Sequence, residues 1–405
     1  MDYVPGDEDQ GNRLLIPSLF VSQLSTRPAG ILMGFILIEV AVTFGTTVGI
    51  AGQIVTAASL AGMVVSPFLA ALSIKYKPRT LLLAGVALIV ISSLGCSFSF
   101  NYASMLVFYS LSGLGAAMVT PMIMTIIGEK VSEERRAGTI GRIVASTPIL
   151  STLMGLTITW IISRGWQVAY LLFVFPINAA CLVLAFLGLR RSSDSEPRQD
   201  ASRSIRGGFR EIFRNRSALA CLMSTTLTQI VWGGFIVYFV SFYRQHWGLP
   251  TEFVGVIWSA NTFVYVMGSM LCGRVVPRFG RKKLTGLTTL FVGLLVIIYP
   301  NAPNYYVSIL SGLSIVLLSA FWTSSSNDLA LAQVPEYSGA MMSLNSGSNR
   351  LGGALGSALG GLVITMGGYS LLGIVLGITG ITAFLVFFLF AKDPAHIPIA
   401  DPLTK

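Results

Sequence analysis

The chain is written twice, at a constant lag of 203 residues, half of its 405-residue length. Residues 131–170 lie over 334–373 without a gap, so that Val131, Glu133, Ala137 and Gly165 recur as Val334, Glu336, Ala340 and Gly368. The same lag carries Gly52 and Ile54 onto Gly255 and Ile257, Asn101-Tyr102 onto Asn304-Tyr305, and Lys75 onto Arg278. Each half is strongly apolar and has room for about six membrane-crossing helices of ~20 residues. Solenoid repeats have periods several times shorter, which excludes that architecture.

Two parallel repeats of six spans form a known plan for membrane carriers, with the substrate site between the halves. Composition agrees: 53% of residues are hydrophobic and 11% charged, about half the charged share of a soluble domain. The net charge of +10 would suggest nucleic acid if it lay on one soluble face. Instead 22 of the 27 Lys and Arg fall in segments that alternate to one side, with Arg164 and Arg244 on the other. By the positive-inside rule, both termini are expected in the cytoplasm of a multi-pass protein of the cell membrane. No nucleic-acid partner is implied. The four cysteines (Cys96, Cys181, Cys221, Cys272) fall within predicted spans and lack metal-ligand spacing, so free apolar thiols are expected. Acidic residues at the start (Asp2, Asp7, Glu8, Asp9) are opposite to a basic leader, and no cleavable signal is expected.

Hydropathy and the repeat register predict spans at 14–37, 50–73, 80–99, 103–128, 138–162 and 167–189, then 217–241, 252–275, 284–300, 305–331, 339–365 and 369–391. The expected fold is all-α and integral to the membrane, with twelve transmembrane helices in two pseudo-symmetric six-helix halves, 14–189 and 217–391. Residues 1–13 and 392–405 are read as cytoplasmic tails. Residues 190–216, rich in Ser, Pro and Arg, are read as a cytoplasmic linker. Its last part, with Phe209, Ile212 and Phe213 among arginines, is read either as solvated chain or as a short helix on the anionic leaflet. Hydropathy alone prefers 29–50 for the first span, because Arg27-Pro28 interrupts 14–37. The repeat overrules it, placing Arg27 within the membrane and Glu39 near the outer end.

The loop after the eighth span reads Gly273-Arg-Val-Val-Pro-Arg278-Phe-Gly280-Arg281-Lys282-Lys283. It resembles the basic loop signature of the major facilitator superfamily, Gly-x-Leu-Ala-Asp-Arg-x-Gly-Arg-Lys. A degraded copy in the first half runs from Ala70 through Lys75 and Lys77 to Arg79. The acidic position of the signature is Ile74 in one copy and Pro277 in the other. The resemblance implies a gating role for Lys75, Arg79, Arg278, Gly280, Arg281 and Lys282; simple topogenic charge is the alternative. Leu111-Ser-Gly113-Leu-Gly115-Ala116-Ala117 resembles the fourth-span motif of drug–proton antiporters, with Tyr109 and Ser112 where that branch has Arg and Gln. Residues 45–57 resemble the start of the second span in arabinose-efflux-type permeases. The resemblance covers the whole chain at superfamily level.

Ionisable groups within spans are the sharpest candidates, because a charge in hydrocarbon costs from ~3 to more than ~10 kcal/mol and so normally faces a wet cavity. Arg27 and Arg350 lie roughly 20 Å and 16 Å deep at ~1.5 Å per residue. Two midplane arginines suit a carboxylate-bearing substrate, since guanidinium holds such a group by two prongs. Gln23, Gln229, Trp232, Asn261, Trp322, Asn345 and Asn349 are the further candidate substrate contacts. The alternative is that Arg350 pairs with Asp328 and Arg27 with helix carbonyls, both structural. Asp328, well inside the tenth span, is the candidate proton carrier. In the eleventh span Gly352, Gly356 and Gly360 form a groove for close helix approach.

No catalytic signature is present. His246 and His396 lie in or beside loops, and no phosphate-cradling Gly-x-x-x-x-Gly-Lys-Ser/Thr stretch occurs. No enzyme, cofactor or metal is expected. The sequence reading is a monomeric secondary active transporter of a small organic solute, working by alternating access among membrane lipid. An efflux permease coupled to a proton gradient is preferred. An organic-anion exchanger or uptake carrier is the alternative, and a non-transporting receptor or a channel on the same fold a weaker one.

Overall fold

The computed structural model describes residues 7–131, 133–190 and 210–393. Most of the expected linker (191–209) and the ends of both expected tails (1–6 and 394–405) lie outside the described residues. Besides a short helical stretch at 210–214, the described residues form, in order, α1 (Asp7–Leu24), α2 (Pro28–Thr43), α3 (Val48–Lys75), α4 (Pro78–Ser97), α5 (Tyr102–Lys130), α6 (Glu133–Ile162), α7 (Trp166–Ala169), α8 (Phe175–Arg190), α9 (Arg216–Gln245), α10 (Thr251–Phe279), α11 (Arg281–Ile298), α12 (Tyr305–Gln333) and α13 (Ser338–Phe390). A π-helical turn, Tyr170–Val174, joins α7 to α8.

Ten stretches among the described residues are long and apolar enough to cross a membrane. One of them, Ala340–Phe390, has 51 residues, about twice what a single crossing needs. It is broken by non-helical backbone at Gly367 and Gly368. A shorter apolar helix covers Ser146–Ile162. Divided and supplemented in this way, the set is consistent with twelve crossings.

Local chemistry repeats with the sequence. Asn101 caps α5, its side chain accepting from the Ser104 amide at 2.7 Å, and Asn304 caps α12 by accepting from the Val307 amide at 3.0 Å. An Asn there satisfies an amide that helix geometry leaves without a partner. The repeat partners Gly45 and Gly248 have φ of 61° and 65°, and Gly165 and Gly368 have 111° and 71°. These are left-handed positions where a Cβ would clash with the backbone. Both halves therefore turn at the same two places for the same steric reason.

The first span departs from expectation. It is not one helix over 14–37 but two, α1 and α2, separated by Ser25–Arg27 and extending to Thr43. Pro28 lacks an amide hydrogen and disfavours helical backbone in the residue before it. Ser25 and Thr26 donate back to the carbonyls of Ser22 and Gln23 at 2.8 and 2.7 Å, closing the end of α1. Helix begins at Asp7, ahead of the apolar stretch that starts at Leu14.

By packing, the chain forms two compact units that cut across the sequence halves. The first unit contains residues 1–199 together with 234–263 and 357–368. Its core includes Leu19, Leu82, Val86, Val119, Ile123 and Ile143, all fully buried. Within it, second-half segments lie directly on first-half helices. A Cβ on Gly49 would collide with the carbonyl of Gly361, and one on Gly255 with that of Gly155. Thr56 and Ser357 share a hydroxyl hydrogen bond at 2.9 Å, and Gln53 donates to the Ala358 carbonyl at 3.1 Å. Gly361 packs at this seam, and Gly352 makes its own close approach to α9 at Thr226.

The second unit contains residues 200–233, 264–356 and 369–405. Ile212, Cys221, Leu222, Leu329, Met341 and Phe387 belong to its core. Ile212 thus lies within protein and Phe213 is exposed, while Phe209 lies outside the described residues. All four cysteines are buried and unbridged.

Candidate functional site

In the first unit, Arg27 occupies the break between α1 and α2, where it is the N-cap residue of α2. The flanking Pro28 and Ala29 are buried while Arg27 is exposed. An exposed guanidinium within a 30-residue apolar stretch, Leu14–Thr43, needs water or a polar partner around it, because hydrocarbon charges several kcal/mol for it. One turn earlier, Gln23 is buried and accepts from the Thr120 hydroxyl of α5 at 3.3 Å. Asn261 is also in this unit and is buried. Its amide donates to the Ile257 carbonyl at 2.8 Å, and its Oδ1 lacks a hydrogen-bond partner.

In the second unit, four polar residues are linked by hydrogen bonds. Gln229 of α9 donates to the Asn349 side chain of α13, Asn349 donates to the main-chain carbonyl of Asn345, and the Asn345 side chain donates to Asn327 of α12. Gly352 makes these links possible: its missing side chain lets the α9 backbone at Thr226 and the Cβ of Gln229 approach α13. Arg350 follows Asn349 directly and is half-buried. Trp232 lies one turn beyond Gln229, its ring centroid 6.4 Å from that of Tyr265. Tyr265 reaches the Thr323 hydroxyl at 3.5 Å. Trp322 is buried. Gln229, Asn345 and Asn349, predicted separately, are thus bound into one network, with Asn327 as its fourth member.

The basic loop of the second half is also built within this unit. Gly280 caps α11 with φ 76° and ψ 147°, a backbone only glycine takes easily. Arg278 is exposed in the last turn of α10. Arg281 opens α11, and its Nε lies 3.0 Å from Asp328 Oδ2 on α12. Asp328 is therefore bound to the basic loop. Where the superfamily signature has an acid in the loop itself, Pro277 stands here and α12 supplies the carboxylate. Lys282 sits over the Phe388 ring at 5.7 Å. In the degraded copy, Lys75 ends α3 and sits over the Tyr76 ring at 5.7 Å, and Arg79 lies in the first turn of α4.

One pair was missed. Glu39, read from the sequence only as a group at a span end, lies on α2 with its Oε1 2.7 Å from Nη2 of Arg244 on α9. Arg244 also donates to the Phe35 carbonyl at 3.1 Å. Charge sign was the available signal: an arginine at the expected outer end of the seventh span and an acid at the expected outer end of the first.

The sequence profile of the Major Facilitator Superfamily matches residues 18–333 and again 221–403. Among curated proteins, the chain is 22% identical over 329 residues to an uncharacterized MFS-type transporter of Bacillus subtilis (strain 168), YwfA, covering 79% of this chain and 78% of that one. It is 28% identical over 151 residues to the methylenomycin A resistance protein of the same organism, 36% of this chain and 31% of that one. Among solved structures, a D-xylose–proton symporter superposes with a TM-score of 0.75 at 15% identity, over 94% of this chain and 97% of the other.

Proposed function

The chain belongs to the major facilitator superfamily of multi-pass membrane transporters, which are not enzymes, and we propose that it exports a small organic solute carrying a carboxylate, by alternating access. The observation that carries this reading is Arg27, an exposed guanidinium held at a helix break inside an apolar crossing. Such a group is retained where it meets a polar ligand in a wet cavity, and its forked donors match a carboxylate. Arg350, beside the Gln229–Asn349–Asn345–Asn327 network, is the second binding arginine. Trp232, Trp322, Gln23 and Asn261 complete the proposed contacts.

Export is supported by the relative named as a resistance protein. A proton gradient is the proposed energy source, with Asp328 exchanging a proton as its bond to Arg281 forms and breaks. Lys75, Arg79, Arg278, Gly280 and Lys282 serve the same loops during gating. Both termini and the linker lie in the cytoplasm, the protein works as a monomer in a bacterial cell membrane, and nucleic acid has no part in it. The test is reconstitution. A thermal-shift screen against organic acids, sugars and cationic drugs selects the ligand, and counterflow in proteoliposomes then measures its exchange. Stabilisation by organic acids together with counterflow is the expected outcome; stabilisation by cations alone overturns the carboxylate assignment.

A further inference from the structure

A groove of about 790 Å³ runs along the side of the first unit between α4 and α8. Lys77 and Arg79 stand at one end, at the N-terminus of α4. Beyond them the lining is apolar: Ala84 and Ala87, one turn apart on α4, face Val183, Phe186 and Leu187 on α8. The α8 residues have the i, i+3, i+4 spacing of a single helix face and are about half exposed. Leu83 of α4 and Leu182 of α8 complete the apolar walls, and the two alanines leave room between them.

The dimensions and charge point to one occupant. From Arg79 to Ala87 the helix rises about 12 Å, close to the ~15 Å depth of one leaflet's hydrocarbon. The two cations and the positive end of the α4 dipole gather at the headgroup end, and the other lining residues named carry no charge. We propose that this groove is a binding site for one anionic phospholipid of the adjoining leaflet, its phosphate held by Lys77 and Arg79 and an acyl chain laid against Ala84, Ala87 and Phe186. Basic pockets at the end of apolar helix grooves select acidic over zwitterionic headgroups in this way. The inference rests on the membrane-spanning reading of α4 and α8 but not on the transported solute.

Native mass spectrometry of the full chain in detergent tests it, with equal amounts of dioleoyl phosphatidylglycerol and dioleoyl phosphatidylethanolamine supplied. The expected result is one retained phosphatidylglycerol, preferred by roughly tenfold. Lys77→Gln with Arg79→Gln should abolish the preference, and Lys77→Arg should keep it. Ala84→Phe, which fills the groove and leaves both cations, should reduce retention of either lipid; size-exclusion chromatography confirms that each variant is folded. Full retention in Ala84→Phe, displacement by soluble glycerol phosphate alone, or an unchanged preference in the double variant would each overturn the proposal. Because no transport is measured, failure here leaves the transport reading intact, and failure of counterflow leaves the lipid site intact.

Discussion

Arg244 and Glu39 form a 2.7 Å ion pair between positions 205 residues apart in the chain, with 18% and 25% of their side chains accessible. The second carboxylate oxygen of Glu39 is buried without a hydrogen-bond partner, so Arg244 is the group that offsets the cost of burying that side chain. The pair lies in the unit where Gly49 meets Gly361 and Thr56 meets Ser357, and the alternating access proposed above requires that these contacts part.

Removing the arginine should therefore loosen the seam. Arg244→Gln leaves a mostly buried carboxylate without its cation, at a cost toward the lower end of the ~3–5 kcal/mol found for buried pairs. With Thr56→Cys introduced in a background lacking the four native cysteines, maleimide labelling at position 56 should accelerate several-fold. The charge-swapped double variant, Glu39→Arg with Arg244→Glu, should bring the rate back. Wild-type labelling rates in Arg244→Gln would mean that the pair does not hold the seam.

The two kinds of glycine should respond differently to alanine. At Gly248 an added Cβ meets open space, so only the left-handed backbone is strained, at about 1–2 kcal/mol. At Gly361 the backbone is not strained in this way, but the Cβ strikes the Gly49 carbonyl, Gln53 and Tyr238, an overpacking cost of ~1–3 kcal/mol. Both variants should lower the thermal midpoint. Only Gly361→Ala should also raise labelling at position 56, because it wedges the seam.

Asp328 and Arg281 are 48% and 34% accessible, and pairs this exposed contribute at most about 1 kcal/mol. Asp328→Asn should thus fold with a nearly unchanged midpoint, which makes its transport phenotype readable. A proton carrier at this position predicts loss of gradient-driven accumulation with counterflow retained. If accumulation survives in the Asn variant, Asp328 is a fixed anchor for the loop and the protein is better described as an exchanger.

Arg350→Lys and Arg27→Lys each keep the charge and lose the two-pronged geometry. Transport should fall by about tenfold or more in each, since a charge-assisted hydrogen bond contributes ~1.5–3 kcal/mol, while insertion into the membrane is retained. Counterflow in proteoliposomes, beside a measurement of reconstituted protein, decides it. Full transport by Arg350→Ala would remove that residue from the substrate site.

The spans were legible because hydropathy and helix capping are properties of a few neighbouring residues. So were the turns at Gly165 and Gly368, since a left-handed backbone makes the same demand wherever it occurs. The first span was misread for the converse reason. The repeat called for one continuous helix, while the local chemistry of Ser25, Thr26 and Pro28 broke it, and the local effect prevailed. In the candidate site, the polar residues of α9 and α13 could be named from their spacing, but their joining through Asn327 could not.

The duplication, the apolar crossings, the shared turning points and the arginines interrupting apolar stretches were determined by the sequence alone, because each follows from the solvation or steric needs of residues close together in the chain. Which acid meets which arginine was decided by the tertiary structure. Asp328 meets Arg281, and Glu39 meets Arg244, a residue that charge asymmetry had only assigned to a side of the membrane. Charge and hydropathy state what each group requires, but a partner is specified only when helices distant in sequence come within hydrogen-bonding distance, which packing and not local sequence decides.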